Sequence, residues 1–425
     1  MKYNPTLHKL SNGITVILDP MDLETTNMKI RINGGASIEQ PHEYGISHFI
    51  EHMLFTGTEK YPSAKIVRVT MRDTGGTRGG STYPYKTEYY GRILAENLPV
   101  LIDVLSEMIL HPLMREENIV KEREVINQEI KRSQDDQGRQ FNGLVKSNIF
   151  PNSYLKRYDT MGSPETLGGF TREILLQYMA DKYNANNIII GLSGKIEDPD
   201  KILADLENRF GKIPSGKVYE FDSGTVNPTV IYDVRDDKKQ TKLFIGFENG
   251  WPDERKYFYE DICSSVFESA LSLRLFEEIR DNLGLVYSYG GSGYGDRFIG
   301  CNGVMTALSP ENLEKVIAST ASGCYDIMHR NPVTADELRR KNTMIKLGRA
   351  DFSESASSRC DRLINFYANH GEIYNPSEFD TLREKMTIKD VMKYSADYFA
   401  NPISMIAQGP ACDIDMLKIW NDNFK

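Results

Sequence analysis

The sequence predicts an α+β fold of two homologous domains in tandem, each a mainly antiparallel sheet packed with helices. Three observations carry this reading. Residues 13–18 and 28–33 alternate apolar and polar side chains with the period of two expected of strands that face a core on one side. Between residues 45 and 55, Ile46, Phe49, Ile50, Met53 and Leu54 fall at i, i+3, i+4, i+7 and i+8, the stripe of an amphipathic helix. The segment running from Thr171 to Tyr183 recurs from Thr387 to Phe399, an offset of 216 in a chain of 425 residues. Strands with helices on one face give a layered α+β domain, and a repeat at half the chain length gives two of them.

Each copy of the repeat is a helix, with Tyr178, Ala180 and Asp181 matching Tyr394, Ala396 and Asp397. It is followed by an apolar run, residues 187–192 or 403–407, that ends near Gly194 or Gly409. Two unrelated helices sharing good helix formers are the alternative. The tandem reading sets a first domain at 1–215, a linker at 216–230 and a second domain at 231–425. Proline, glycine and polar residues cluster between Gly211 and Pro228, which marks the seam. Residues 98–113 read as an amphipathic helix, broken by Asp103, Ser106, Glu107 and His111 and so unfit to span a bilayer. Residues 116–136 form a further helix, rich in glutamate early and in lysine and arginine later, as the helix dipole favours.

Charge narrows the function classes. Lys and Arg total 51 against 60 Asp and Glu, a net of −9, the reverse of what a phosphate backbone requires, so no nucleic-acid role is expected. No membrane segment is found. The first residues, Met1-Lys2-Tyr3-Asn4-Pro5, have neither the basic and apolar regions of a signal peptide nor the arginine-rich character of a transit peptide, and a cytoplasmic protein, or one whose targeting segment has been removed, is expected. Cys263, Cys301, Cys324, Cys360 and Cys412 are odd in number and widely spaced, which points to buried free thiols.

The chemistry lies on the 45–55 helix, in His48-Phe49-Ile50-Glu51-His52. Residues at i and i+4 project from one face, so both imidazoles can address one metal ion with Glu51 beside them, an H-x-x-E-H arrangement. The alternative is a helix with two part-exposed histidines and an ion-paired glutamate. A catalytic zinc needs a third protein ligand. Glu122 and Glu129, seven residues apart, share a face of the 116–136 helix and are the candidates.

Residues 45–58, followed 77 residues after His52 by Glu129, resemble the inverted-zincin metallopeptidases of the pitrilysin, insulin-degrading enzyme and mitochondrial processing peptidase type. The resemblance covers nearly the whole chain. It implies a zinc-dependent endopeptidase, with one Zn²⁺ per chain held by His48, His52 and Glu129. Glu122 would orient the ligands and Glu51 would act as general base. In the second half, Arg280 and Tyr287 match the family's substrate-closing Arg/Tyr pair; without the family, Arg280 reads as a surface helix residue paired to Glu277 and Tyr287 as the start of a strand. The second half has no H-x-x-E-H and should bind no metal. Where the family has Gly-Gly-x-x-Asn-Ala-x-Thr on the strand that accepts substrate, this chain reads Gly75-Gly76-Thr77-Arg78-Gly79-Gly80-Ser81-Thr82. Gly79 replaces the asparagine, while main-chain pairing to substrate through Gly76, Thr77, Arg78, Gly79 and Gly80 survives.

Members of this length look like half of a four-domain clamshell. The expected assembly is therefore a homodimer with Arg280 and Tyr287 acting in trans, or else a heterodimer with a homologous subunit. The expected substrate is an extended peptide or small unfolded protein, a basic one if the inner wall shares the chain's negative charge. The other function class is a non-catalytic scaffold or partner subunit of a homologous peptidase complex.

Overall fold

The structure is a computed structural model that describes residues 3–156, 160–219, 224–249, 254–295 and 299–425, with backbone alone over 254–261. In the first half, strands β1 (Thr6–Lys9), β2 (Thr15–Pro20) and β3 (Thr25–Asn33) precede helices α1 (Ile46–Leu54) and α2 (Ala64–Asp73). The hairpin β4 (Thr77–Tyr83) and β5 (Lys86–Leu94) leads to α3 (Leu98–Leu110), α4 (Glu116–Asp135) and α5 (Gln137–Ile149). Then come α6 (Pro164–Gly168), α7 (Arg172–Lys182), β6 (Ile188–Gly194) and α8 (Pro199–Phe210). The second half runs β7 (Val230–Val234), β8 (Thr241–Glu248), α9 (Glu254–Phe276), β9 (Val286–Gly295) and β10 (Gly300–Leu308). It continues through α10 (Leu313–His329), α11 (Ala335–Glu354), α12 (Ala356–His370), α13 (Pro376–Lys385), α14 (Ile388–Ala400), β11 (Ile403–Gly409) and α15 (Met416–Asn423).

The repeat shows in the two sheets. The first has the order β1-β2-β6-β3-β5-β4 and the second β7-β11-β8-β10-β9. In each, the strand that follows the repeated helix lies parallel to one neighbour, β6 to β2 and β11 to β7, and the remaining pairs are antiparallel. The helices α7 and α14 both start at a threonine, Thr171 or Thr387, whose hydroxyl accepts from the backbone N–H three residues on.

Each compact unit is discontinuous in sequence. The first gathers Met1–Asp136, Asp159–Phe221 and Arg349–Tyr374; the second gathers Gln137–Tyr158, Asp222–Gly348 and Asn375–Lys425. Helix α12, from the second half, therefore covers the first sheet, where it packs on β6, β3 and β2. Helix α5, from the first half, packs on β11 of the second sheet. The two counterpart helices are exchanged.

The exchange alters the reading of β3. Alternation suggested one buried face, yet Lys29 and Arg31 on the other face are also buried, at 6% and 3% exposure. Burying such charges is costly unless they are paired. Here Lys29 bonds Glu88 at 3.0 Å, Arg31 bonds Asn365 at 2.7 Å, and the Lys29 ammonium also meets Asp361 of α12. Beside them the Arg359 guanidinium of α12 closes on Asp19, which is fully buried. The opposite face of this sheet carries the apolar core, in which Ile30, Tyr89, Leu192, Phe49, Leu101 and Leu105 are all inaccessible to solvent. In the second unit, α5 covers its sheet with apolar groups, and Phe141, Val145 and Ile149 pack with Phe244, Cys301 and Ile406. Four cysteines are buried free thiols, and Cys412 is half-buried. Among the described residues, no helix is long and apolar enough to cross a membrane.

Candidate metal centre and its neighbouring strand

Helix α1 is fixed at its start by backbone chemistry. Gly45, at φ +95°, precedes it in the left-handed region, where a side chain would also strike the Met161 carbonyl. The carboxylate of Glu39, itself buried, accepts from the N–H groups of Gly45 and Ser47, both at 3.0 Å. A carboxylate there satisfies orphan donors and complements the positive helix end. Ile46, Phe49, Ile50, Met53 and Leu54 then anchor one face in the core. His48, Glu51 and His52 are left on the half-buried side.

Helix α4 packs against α1. Arg123 ties it in place by donating to the carbonyls of Leu167 and Phe170 at 2.9 and 3.0 Å. The structure thus brings together His48, His52 and Glu129, each offering one ligand atom within 4.8 Å of the others. The Nε2 atoms of His48 and His52 lie 3.8 and 3.7 Å from Glu129 Oε2. These separations are too long for hydrogen bonds, yet they suit atoms that each sit about 2.0–2.1 Å from one shared zinc ion. Glu122 Oε2 lies 3.0 Å from His52 Nδ1, so the network assigns the proton to Nδ1 and leaves Nε2 bare toward Glu129.

The electrostatics agree with this donor set. Burial, reinforced by His52, pushes His48 down to about 3 and keeps it in the neutral form that ligates metals; its Nδ1 is buried without a hydrogen-bond partner. Burial also pulls His52 down, but the Glu122 hydrogen bond together with Glu129 and Glu51 outweighs it and the net shift is upward. The carboxyl of Glu51 is raised by burial and by Glu129, against the opposing Thr82 hydrogen bond and His52. Two imidazoles and a carboxylate with a half-buried glutamate beside them fit a zinc ion.

Strand β4 carries the other expected residues and ends its sheet. Gly76 immediately precedes it, and Thr77, Arg78, Gly79 and Gly80 open it. Gly80 lies against the metal helix, since a Cβ there would come within 2.8 Å of Glu51 Oε1 and 2.9 Å of the Phe55 ring. Gly79 points to the other face, where the ring of its cross-strand partner Tyr90 fills the space a side chain would take. Thr82, outside the five residues assigned to substrate, donates its hydroxyl to Glu51 at 2.8 Å. The period of two along β4 would have found it, because Thr82 shares the face of Gly80. Glu39 had no such signal; its role depends on a turn that the sequence does not mark.

Arg280 and Tyr287 belong to the second unit. Arg280 stands in a π-helical turn, Glu277–Asn282, a geometry frequent at functional sites. Its guanidinium lies 5.9 Å from the Tyr287 ring and 4.8 Å from that of Phe276. The partner expected from sequence was Glu277; the structure gives Asp281 instead, at 3.3 Å. Tyr287 is the second residue of the edge strand β9 and is 87% exposed.

Comparison with known proteins supplies the family. The model described as insulinase (peptidase family M16) matches residues 16–158, and that described as peptidase M16 inactive domain matches residues 169–344. A protein named as an uncharacterized zinc protease from Rickettsia felis is 28% identical, with 96% of this chain and 98% of that protein covered. A Bacillus subtilis protein named as the uncharacterized zinc protease YmxG is also 28% identical, over 83% of this chain and 85% of that protein. Among solved structures, the first half of the periplasmic protease PqqL from Escherichia coli superposes with a TM-score of 0.84 at 16% identity, covering 100% of this chain and 98% of that one. The two M16 matches in tandem, over the same two-sheet repeat that the structure displays, establish that this chain belongs to the M16 (insulinase) family of peptidases.

Proposed function

We propose that this chain is a zinc-dependent endopeptidase that hydrolyses extended, unstructured peptides, with one zinc per chain held by His48, His52 and Glu129. The observation that carries this reading is the convergence of the Nε2 atoms of His48 and His52 and one Glu129 carboxylate oxygen beside the half-buried Glu51, next to a strand that ends its sheet. Zinc bound there supplies Lewis-acid polarisation of a peptide carbonyl and makes water acidic near neutral pH. The chain's own residues do the rest. Strand β4 pairs with the peptide through main-chain groups and lays it across the face of Glu51. Gly80, with no side chain, leaves that carboxylate open to the peptide. Glu51, its basicity raised by burial, takes the proton of the attacking water and passes it to the leaving amine, while Thr82 holds the carboxylate in position. Glu122 fixes the ring of His52.

The test is cleavage of a quenched unstructured peptide by the protein, by its Glu51→Gln variant and by a chelator-treated sample. Cutting by the untreated protein alone supports the reading; equal cutting by all three sinks it. Arg280 and Tyr287 are assigned to the substrate carbonyls and developing negative charge, acting in trans within a homodimer. Mixing Glu51→Gln with Arg280→Ala protein, each inactive alone, should then restore activity under exchanging conditions. A scaffold or partner subunit is the second reading, and the observation on its side is Gly79, which lacks the asparagine side chain of the family pattern and whose side-chain space the Tyr90 ring fills. Zinc retained without cleavage of any peptide would favour it.

A further inference from the structure

Among the described residues, Arg78 lacks the oxygen partner that the other well-packed arginines have. Arg31 bonds Asn33 and Asn365, Arg123 bonds two carbonyls, and Arg209, Arg274, Arg359 and Arg383 each close on a carboxylate. Arg78, half-buried on β4, has none within ion-pair range among the described residues, and its Nε is buried without a hydrogen-bond partner. Its guanidinium lies 4.8 Å from the ring of Phe55, and the charge that acts on it is a second cation, Arg68 on the exposed side of α2.

Position gives this cation a use. Arg78, Gly80 and Thr82 alternate onto one face of β4, the face that meets Glu51 through the Thr82 hydroxyl and the bare Gly80. Phe55 reaches the Gly80 backbone and also carries the guanidinium of Arg78. Two residues along a strand is about 6.6–6.8 Å, so Arg78 occupies the next side-chain position on this face from Gly80, the residue that lies against Glu51. A peptide paired to the free edge of β4 alternates its side chains with the same period, which sets one of them over Arg78 when its scissile bond lies over Glu51.

We propose that Arg78, backed by Arg68 and the Phe55 ring, forms an anion-reading subsite that selects peptides with an aspartate or glutamate within two residues of the scissile bond. This rests on the peptidase reading above. A carboxylate there gives the orphaned Nε a partner, matches the planar fork of a guanidinium and relieves the repulsion between two cations. Burial and Arg68 both disfavour the charged form of Arg78, the environment of a cation that lacks its counter-ion. The net charge of −9 points toward basic peptides, but net charge governs long-range steering, and selection at one residue is set by the groups in contact.

The test uses peptides blocked at both termini, which removes terminal carboxylates, in pairs that differ by a single Asp/Asn or Glu/Gln exchange at each position within two residues of the cut. Cleavage is measured with the unaltered protein, and binding by fluorescence anisotropy with zinc-loaded Glu51→Gln protein. At one position the acidic peptide should be preferred about tenfold in both assays, and Arg78→Gln should bring that ratio close to one. Arg68→Gln should lower the ratio by a smaller factor, which provides a second variant on an exposed helix face. Cleavage without acid preference, or a preference that survives Arg78→Gln, overturns the subsite and leaves the peptidase standing. Acid-selective binding that depends on Arg78 without any cleavage overturns the peptidase and keeps the subsite, and neither binding nor cleavage overturns both.

Discussion

Replacing Glu122 by glutamine should weaken zinc binding five- to tenfold and change how it depends on pH. Glutamine keeps the size and an acceptor oxygen, so it loses the charge at His52 Nδ1 and not the contact at 3.0 Å. Hydrogen bonds to charged groups contribute about 1.5–3 kcal/mol and neutral ones about 0.5–1.5. The difference, roughly 1–1.5 kcal/mol, is about five- to tenfold in a binding constant. With side chains 17% and 24% exposed, solvent screening keeps the effect below the hundredfold end of such substitutions. The pH dependence has a definite sign. Against burial, the Glu122 hydrogen bond with Glu129 and Glu51 holds His52 above its ordinary value of 6.5, so protons compete with zinc there below a point higher than that of a free imidazole, while His48, pushed down to about 3, stays neutral. Below that point affinity should fall about tenfold per pH unit, the slope of one proton. In Glu122→Gln the fall should begin at lower pH, because the hydrogen bond that holds the proton on His52 has lost its charge. Competition against a chromophoric chelator from pH 5 to 8 reads both quantities. Equal zinc affinity in the variant, or a two-proton slope in the unaltered chain, would refute the assignment of Glu122 and of the two histidine states.

Three further outcomes follow from the same structure. Thr82→Val removes the hydroxyl that lowers Glu51, so the carboxyl titrates still higher; the acid limb of a kcat/KM profile should move to higher pH, with activity at pH 6 down roughly three- to tenfold and zinc content unchanged. Arg359→Leu leaves Asp19 buried and unpaired beneath α12, at a cost of about 3–5 kcal/mol; melting should fall by about 10 °C and recover in a Asp19→Leu/Arg359→Leu double variant. In the second unit, burial pushes Glu337 up, but Arg274, bonded to both its oxygens at 2.8 and 2.7 Å, and the Thr334 N–H hold it down at about 2. Because the folded value is depressed, its stabilisation is complete above the ordinary 4.5 and disappears as pH falls through about 2. Glu337→Gln should accordingly lower the melting temperature at pH 7 by about 2–4 °C and make no difference near pH 2.

The parts of this molecule that were legible in the sequence are those written in short-range periodicity. The stripe of Ile46, Phe49, Ile50, Met53 and Leu54 specified α1, and the i, i+4 spacing of His48 and His52 placed both rings on its open side. The repeat at 216 residues anticipated two sheets of one topology. What the sequence withheld depends on groups distant along the chain. Lys29 and Arg31 look like solvated positions until Glu88, Asp361 and Asn365, the last two from a helix more than 300 residues later, are brought onto them. The environment of Arg78 was equally hidden, since an unpaired cation is recognised only once its neighbours are known.

The exchange of α12 and α5 has a consequence for how the polypeptide is made and cut. A ribosome that has released only the first half leaves the Asp19, Lys29 and Arg31 face of the first sheet without its cover, because that cover is encoded some 320 to 350 residues downstream of those side chains. Contacts of such sequence separation slow folding and lengthen the time that strands stay open to wrong partners. The first sheet is therefore begun early in synthesis and completed late. A nick between residues 216 and 230 would give fragments that each lack the helix closing their own sheet and carry the one that closes the other. Such fragments should be poorly folded when expressed apart and should recover zinc binding when expressed together, which makes this chain a natural split protein whose halves recognise one another by missing parts.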